Sequence, residues 1–433
     1  MQVSVETTEG LERRMTIEVP AEEIEQAIES RLESMKGQVK VAGFRPGKVP
    51  LKVVKRQYGD QVRAEIVEEA IRNALSNAVN QENLRPAGSP LIEPKPLEAG
   101  KALEFSATFE IYPEFELAAL EGAKIEKPVV EIRVEDLEQM LNKLRDQKAE
   151  WNDVEREAQN GDRVMIDFVG AIDGEEFPGG TGQQVAVVLG ANSMIPGFED
   201  GLIGSKAGEE HSLDLTFPEE YGAKELAGKD VNFKVTVTTV AESFLPELDD
   251  AFAVDFGVAD GGIETLRNEV RANMDRELEQ AVKGSVKEQV MELLLSKNEF
   301  DVPKALVDQE IGNLMQQSGL QMPPEMQKDP EPVRALFEEQ AKKRVKLSLI
   351  LANVANRNEI KVDPDRVRET VDKVSQTYDN PEEFVKWYYS NREALAHVES
   401  LVLEEQIVDW AVEQLEVSEV AKSFEEVMAS KTA

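Results

Sequence analysis

Between residues 161 and 241 the hydrophobic period of this chain changes, and the change limits what the remainder can build. Glycine is dense there, and short β-type runs occupy Arg163 to Phe168, Gln184 to Leu189, His211 to Phe217 and Val231 to Val240. In the last run Val231, Phe233, Val235 and Val237 fall on one side, the period of two that a half-buried strand requires. On either side of this stretch the apolar residues step by three or four instead. Leu137, Met140, Leu141 and Leu144 mark one helical face before it. Ile263, Leu266, Val270, Met274, Leu278, Val282 and Val286 mark another after it, and Leu395, Val398, Val402, Val408, Val412 and Leu415 a third. A helix over Val134 to Trp151 and the helices after Pro246 are expected to pack on each other, which makes the small, mainly β domain between them an insertion.

The N-terminal part has its own pattern. Alternating Val3 and Val5, then Leu11, Met15, Ile17 and Val19 around Gly10, predict a hairpin. Pro20-Ala21-Glu22-Glu23 opens a helix with proline and acids in its first turn, which suits the positive end of the helix dipole. A second helix carries Val62, Ile66, Ala70, Leu75 and Val79 on one face, and a strand near Leu103 to Ile111 closes an α+β unit ending at about residue 115. Farther on, Pro323, Pro324, Pro330 and Pro332 divide the helical region, and Asp363-Pro364 starts another helix with a capping side chain and a proline. No fixed-period solenoid repeat is present.

Composition excludes several chemistries. A chain of 433 residues suffices for two to four domains. With no cysteine and only His211 and His397, thiolate catalysis, disulfides and histidine metal centres are not expected, and neither metal nor cofactor is. No apolar run approaches the roughly 20 residues of a membrane span. The start Met1-Gln2-Val3-Ser4-Val5-Glu6 lacks the basic and apolar regions of a secretory signal, so a cytoplasmic protein without membrane partners is expected.

The formal net charge is -36, yet from Ser34 to Gly59 there are seven cations, Lys36, Lys40, Arg45, Lys48, Lys52, Lys55 and Arg56, and no acid. Exposed charges separated by more than about 8 Å are largely screened at physiological salt, so distant acids need not cancel this island. At its centre Gly43-Phe44-Arg45-Pro46-Gly47-Lys48-Val49-Pro50 has the glycines and prolines of a loop, with an aromatic and two cations at its tip. Two readings stand on chemistry alone: a tip that docks on an anionic, partly apolar surface, or a solvated loop whose Phe44 folds back into its own domain. A general nucleic-acid module ranks below both, since one aromatic supplies no stacking platform.

The motif Gly43-Phe44-Arg45-x-Gly47-x-x-Pro50 resembles the ribosome-docking signature of the trigger factor family, bacterial chaperones that wait at the polypeptide exit tunnel. The resemblance implies that Phe44, Arg45 and Lys48, in a loop shaped by Gly43, Pro46 and Gly47, contact a large-subunit protein and nearby ribosomal RNA. Pro46 stands where a lysine is familiar, which removes a charge and stiffens the tip. It further implies binding of nascent and unfolded polypeptides in a cradle of helical arms, and leaves open a homodimer of the free protein. Leu314, Met315, Leu320, Met322 and Met326 are candidates for lining that cradle, methionine being adaptable, with ordinary inter-helix core as the competing role. The acidity of the chain leads us to expect a preference for basic clients.

Residues 161 to 241 resemble an FK506-binding-protein (FKBP) type prolyl isomerase over nearly their whole length. Asp167-Phe168-Val169-Gly170, Asp173-Gly174-Glu175-Glu176-Phe177, Leu189-Gly190, Ile195-Pro196-Gly197-Phe198-Glu199-Asp200-Gly201, Gly208-Glu209, Pro218, Tyr221-Gly222 and Phe233 carry the likeness. It implies a sheet half-wrapped around a short helix near Phe198, and an apolar pocket walled by Phe168, Phe177, Met194, Ile195, Phe198, Tyr221 and Phe233. By the same likeness the Ile195 N–H donates to the substrate carbonyl. Amide rotation has a barrier of about 18 to 20 kcal/mol, and an apolar cleft holding a twisted imide lowers it without a nucleophile. Pro178 and Val185 replace an acid and an aromatic found in single-domain relatives, changes that bear on macrolide binding more than on catalysis. Asp167 reads as a hydrogen-bonding residue of its strand rather than an acid catalyst.

The expected architecture is multidomain α+β. It comprises an N-terminal α+β ribosome-docking domain (1–115), a helical linker packing on the C-terminal domain (116–150), an FKBP-like β domain with a short helix (151–246) and an elongated all-α chaperone domain (247–433).

Overall fold

A computed structural model describes residues 2–36, 39, 44, 49–95, 101–258, 260–319, 331–376, 378 and 380–430. Strands β1 (Gln2–Thr7), β2 (Glu12–Val19), β3 (Leu91–Pro94), β4 (Leu103–Glu110) and β5 (Lys124–Val129) come first, with helices α1 (Ala21–Met35) and α2 (Leu51–Gln81) between β2 and β3. Helix α3 (Val134–Gln147) precedes β6 (Glu150–Asp153), β7 (Arg163–Ile172), β8 (Glu175–Val188), β9 (Glu210–Thr216) and β10 (Asp230–Phe244). Then follow α4 (Asp250–Asp255), α5 (Gly262–Lys297), α6 (Lys304–Gln317), α7 (Glu331–Arg357), α8 (Pro364–Ser375), α9 (Pro381–Ser390) and α10 (Arg392–Gln414), and finally β11 (Glu416–Ala421) and α11 (Phe424–Ala429). By its contacts the chain divides into two compact units, one of residues 1–127 and 284–419 and one of residues 128–283 and 420–433.

In the first unit β1 and β2 form the hairpin expected around Gly10, with Val3 opposite Ile17 and Val5 opposite Met15. The antiparallel order is β1-β2-β4-β3. Alternation places Met15, Ile17 and Val19 of β2 with Leu103, Phe105, Ala107 and Phe109 of β4 on one buried face. Helices α1 and α2 cover it through Ile24, Ile28 and Leu32 and through Val62, Ile66 and Leu75. This is why α1 and α2 are helices that last: their apolar stripes have a sheet to bury against. Among the described residues the helical remainder of this unit has three cores. Val290 and Leu294 of α5 meet Ile350 and Val354 of α7 and Ile407 and Ala411 of α10. Val307, Ile311 and Leu314 of α6 meet Ala341 of α7, and Val367 and Val371 of α8 meet Val398 and Val402 of α10. The Asp363 carboxylate accepts from the Asp365 and Arg366 amides, capping α8 beside Pro364. Helix α9 has no fully buried residue.

In the second unit Leu137 and Leu141 of α3 share one core with Phe252, Leu266, Val270, Met274 and Leu278, so residues on both sides of the β segment pack together. The β segment is an antiparallel sheet of order β6-β10-β7-β8, with β9 also on β10. One edge of β10 is taken by β7, from Asn232↔Ala171 to Ala241↔Arg163. The other edge is shared by β9, from Asp230 to Thr236, and by β6, where Ser243 faces Trp151 and Phe244 faces Glu150. The helix expected to run to Trp151 therefore stops earlier, at Gln147. Trp151 belongs to β6, and the Arg163 guanidinium lies 4.8 Å from its ring centroid. A cation over the indole and a ladder of backbone bonds outcompete a further helical turn.

Candidate active site

The inward-facing aromatic residues come from neighbouring strands. Phe168 of β7 lies opposite Val235 of β10, and Phe233 of β10 lies opposite Gly170 of β7. Phe177 enters from β8, Phe198 from the turn before a short 3-10 helix at Asp200–Leu202, and Phe217 and Tyr221 from the segment after β9. Their rings meet edge to face. Phe198 and Phe233 centroids are 5.4 Å apart, Phe168 and Phe233 5.8 Å, Phe168 and Phe198 6.1 Å, and Phe177 and Phe233 6.4 Å. Each such pair contributes about 0.5–1.5 kcal/mol beyond burial and fixes ring orientation.

Glycines make this packing possible. A Cβ on Gly170 would stand 2.5 Å from the Phe233 ring, one on Gly180 2.8 Å from Phe177, and one on Gly182 2.6 Å from Phe168. The rings thus pack directly against bare backbone, which is a reason for the glycine density of the sequence that has nothing to do with turns. The cluster grades from floor to rim. Phe198 is 2% exposed and Phe233 6%, Phe168, Phe177, Met194 and Ile195 are half-buried, and Tyr221 is 38% exposed. All seven expected wall residues except Tyr221 belong to the β-domain core or pack on it, and Tyr221 joins through Phe217, whose ring is 4.7 Å away.

Two residues that the sequence did not mark as site residues hold this arrangement. Phe217, 4% exposed, bridges Tyr221 to Phe177 at 6.0 Å. Its signal was available, since Leu213, Leu215 and Phe217 alternate toward the interior. Glu199 is buried directly after Phe198, and its carboxylate accepts from the amides of Gly190 (2.8 Å), Asn192 (2.9 Å), Ser193 (2.7 Å) and Met194 (3.1 Å). The Ser193 hydroxyl adds a bond of 3.1 Å. Burial by itself raises the Glu199 pKa, but the converging donors overcome it and hold the carboxyl below its usual range. Nothing in the sequence separates this acid from its neighbour Asp200. Asp167 accepts from the Gln184 amide at 2.7 Å across the β7–β8 bulge, the role expected of it.

The basic segment is seen at its edges. Val49 is fully buried and Val39 half-buried in the N-terminal core, while Phe44 between them is 42% exposed. Lys52, Lys55 and Arg56 are exposed on the first turns of α2, whose stripe of Val54, Val62 and Ile66 faces inward. Gly43, Arg45, Pro46, Gly47 and Lys48 lie outside the described residues. Of the cradle candidates, Leu314 is 5% exposed within the α6–α7 core and Met315 is half-buried against it. Leu314 therefore belongs to the helix interface, because its position on α6 faces Ala341. Leu320, Met322 and Met326 lie outside the described residues.

Residues 154–238 match the model of FKBP-type peptidyl-prolyl cis-trans isomerases, so the sheet with its edge-to-face aromatic cluster beside a short helical turn is a peptidyl-prolyl isomerase domain. That domain sits within a longer match: residues 1–144 fit the model of bacterial trigger factor protein and residues 262–413 that of its C-terminus. A trigger factor of Alkalilimnicola ehrlichii is 49% identical over 430 residues, covering 99% of this chain and 96% of the relative. One of Pseudomonas fluorescens is 50% identical over 428 residues, covering 99% and 98%. A solved trigger factor chaperone, studied for promiscuous substrate recognition in folding and assembly, superposes with a TM-score of 0.51 at 17% identity, covering 96% of this chain and all of its own, and shares the fold. The chain belongs to the trigger factor family: it is a ribosome-associated chaperone with an FKBP-type peptidyl-prolyl isomerase domain.

Proposed function

We propose that the protein works in the cytoplasm, docks beside the exit tunnel of the large ribosomal subunit through residues 43–48, and receives nascent chains there. The reading divides the labour among segments 1–115 for docking, 116–150 as a linker, 151–246 for isomerisation and 247–433 for holding unfolded chains. The observation that carries it is Phe44, half-exposed between Val39 and Val49, which are anchored in the N-terminal core, in the middle of the cationic stretch from Lys36 to Arg56. An exposed aromatic in a cationic stretch of sequence suits a surface made of protein and RNA together. Co-sedimentation with purified ribosomes across a salt series tests it. Salt-sensitive binding by the parent and its loss in the Phe44→Ala, Arg45→Ala, Lys48→Ala variant are expected, and equal binding by the two would overturn the assignment.

In the β domain, Phe168, Phe177, Phe198, Tyr221 and Phe233, with Met194 and Ile195, form the wall against which an X-Pro bond twists. The apolar wall excludes water and favours the twisted imide, whose carbonyl has lost amide resonance, over the planar ground state. Phe198→Ala should lower isomerisation of a proline peptide at least about tenfold while leaving aggregation prevention in place. Loss of both activities together would contradict the division of labour.

A further inference from the structure

We propose that Glu199 is a positioning residue for isomerisation, an internal anion that curls residues 190–194 and thereby aims the next amide, that of Ile195, into the aromatic cleft. The proposal rests on the assignment of Phe198 and its neighbours as the cleft wall.

The geometry is that of an anion-binding concavity occupied by the protein's own carboxylate. Successive backbone N–H groups converge when residues alternate in hand, and here Gly190 has φ 89° and Asn192 φ 52°. Four amides from Gly190 to Met194 and the Ser193 hydroxyl end on the two oxygens of Glu199. The set stops one residue short of Ile195. The Ile195 carbonyl is itself tied down, accepting from the Phe198 amide at 3.1 Å. Met194 and Ile195 are therefore held from both sides, through the amide of one and the carbonyl of the other. Because Glu199 follows Phe198 directly, the same residue pair fixes the pocket floor and the loop above it.

A carboxylate is required at this position by chemistry. Four amides and a hydroxyl donate to two oxygens, and of the side chains that fit only an ionised carboxylate presents two oxygens with about four lone-pair sites and no donor of its own. A glutamine offers one oxygen and turns an NH₂ toward amides that can only donate. Uncompensated buried donors then push the loop open, and a misplacement of about 1 Å at a positioned group can lower turnover about a hundredfold.

Tests use the full chain and a short X-Pro peptide. Glu199→Gln is expected to lower kcat/KM by about ten- to a hundredfold, chiefly through kcat, because the apolar wall that binds the peptide is untouched. Glu199→Ala leaves a cavity shaped for a small carboxylate, and titration with formate at constant ionic strength should restore part of kcat, while chloride should not. Folding of each variant is followed by near-ultraviolet circular dichroism. If Glu199→Ala does not fold, Ser193→Ala, which removes only the hydroxyl bond, carries the test in its place and should lower kcat about twofold to fivefold without raising KM. A folded Glu199→Gln with kcat within about twofold of the parent, a folded Glu199→Ala indifferent to formate, or a Ser193→Ala indistinguishable from the parent would each overturn the proposal. Full activity of Phe198→Ala would instead remove the cleft assignment itself, whatever the Glu199 variants do.

Discussion

Two clusters of aromatic side chains in this molecule use the same residue types to opposite effect. In the β domain Phe168, Phe177, Phe198, Phe217 and Phe233 interlock edge to face on strands whose glycines leave room for the rings. Around α9 Tyr378 stacks on Phe384 at 4.1 Å, with Trp387 and Tyr388 beside it, yet Tyr378 and Trp387 are each 52% exposed. The first cluster has a sheet behind it that sets every ring plane. The second rests on a ten-residue helix with no fully buried side chain. Aromatic content therefore does not make a site; the surface behind the rings does, by deciding whether they hold one geometry or many.

The contrast can be broken most sharply at Phe233, whose ring touches three others. Phe233→Ala should reduce kcat/KM about a hundredfold and destabilise the β domain by about 3–5 kcal/mol in denaturant unfolding, a cavity of that size being only partly refilled. A change below about 1 kcal/mol would mean the rings are not interlocked. Gly170→Ala puts a methyl group 2.5 Å from the Phe233 ring, so overpacking of about 1–3 kcal/mol and a several-fold fall in kcat are expected. Wild-type stability there would show that the sheet yields.

Acid sharpens the comparison further, since the β domain contains buried carboxylates and α9 has none. Asp162 is 4% exposed, and its burial raises its pKa, but the bidentate Arg156 guanidinium and the Gln159 amide more than offset that and lower it. A carboxylate with a depressed folded pKa stabilises fully above its unfolded value, about 3.9, and that stabilisation is lost as pH falls through the folded value. Asp162→Asn should therefore weaken the β domain at pH 7 and flatten its acid dependence, as read from unfolding between neutral and acid pH. A parallel acid curve for parent and variant would count against it. The smallest effect belongs to α9: Trp387→Ala should shift stability by less than about 0.5 kcal/mol and leave turnover of a short proline peptide unchanged. A larger change would mean this cluster is built like the other.

The β domain was legible almost residue by residue because a half-buried strand writes its burial into alternate positions. Val231, Phe233, Val235 and Val237 are all interior, as their spacing requires. The helical stripes were equally plain, down to the Asp363 cap. Long-range events were not legible. Strand β6 replaces the end of a helix only because β10 offers it a free edge about ninety residues later, and β11, pairing with β5, was invisible for the same reason. The buried role of Glu199 was not legible because it depends on a loop curling back over it. Leu314 carried two readings until its partner Ala341 was known.

Strand β6 has one more consequence. Glu150 and Phe244 face each other across a ladder, so the chain enters and leaves the β domain at points about 5 Å apart. Nearby, the Arg145 side chain bonds the Pro246 carbonyl at 2.9 Å. A graft whose two ends coincide is topologically cheap: closing so long a loop adds only a logarithmic entropy term, and the host helices need not move to admit it. The same closure makes excision clean. A short flexible bridge across that gap could replace the entire catalytic module, which would let evolution gain, lose or exchange an isomerase without rebuilding the chaperone that carries it.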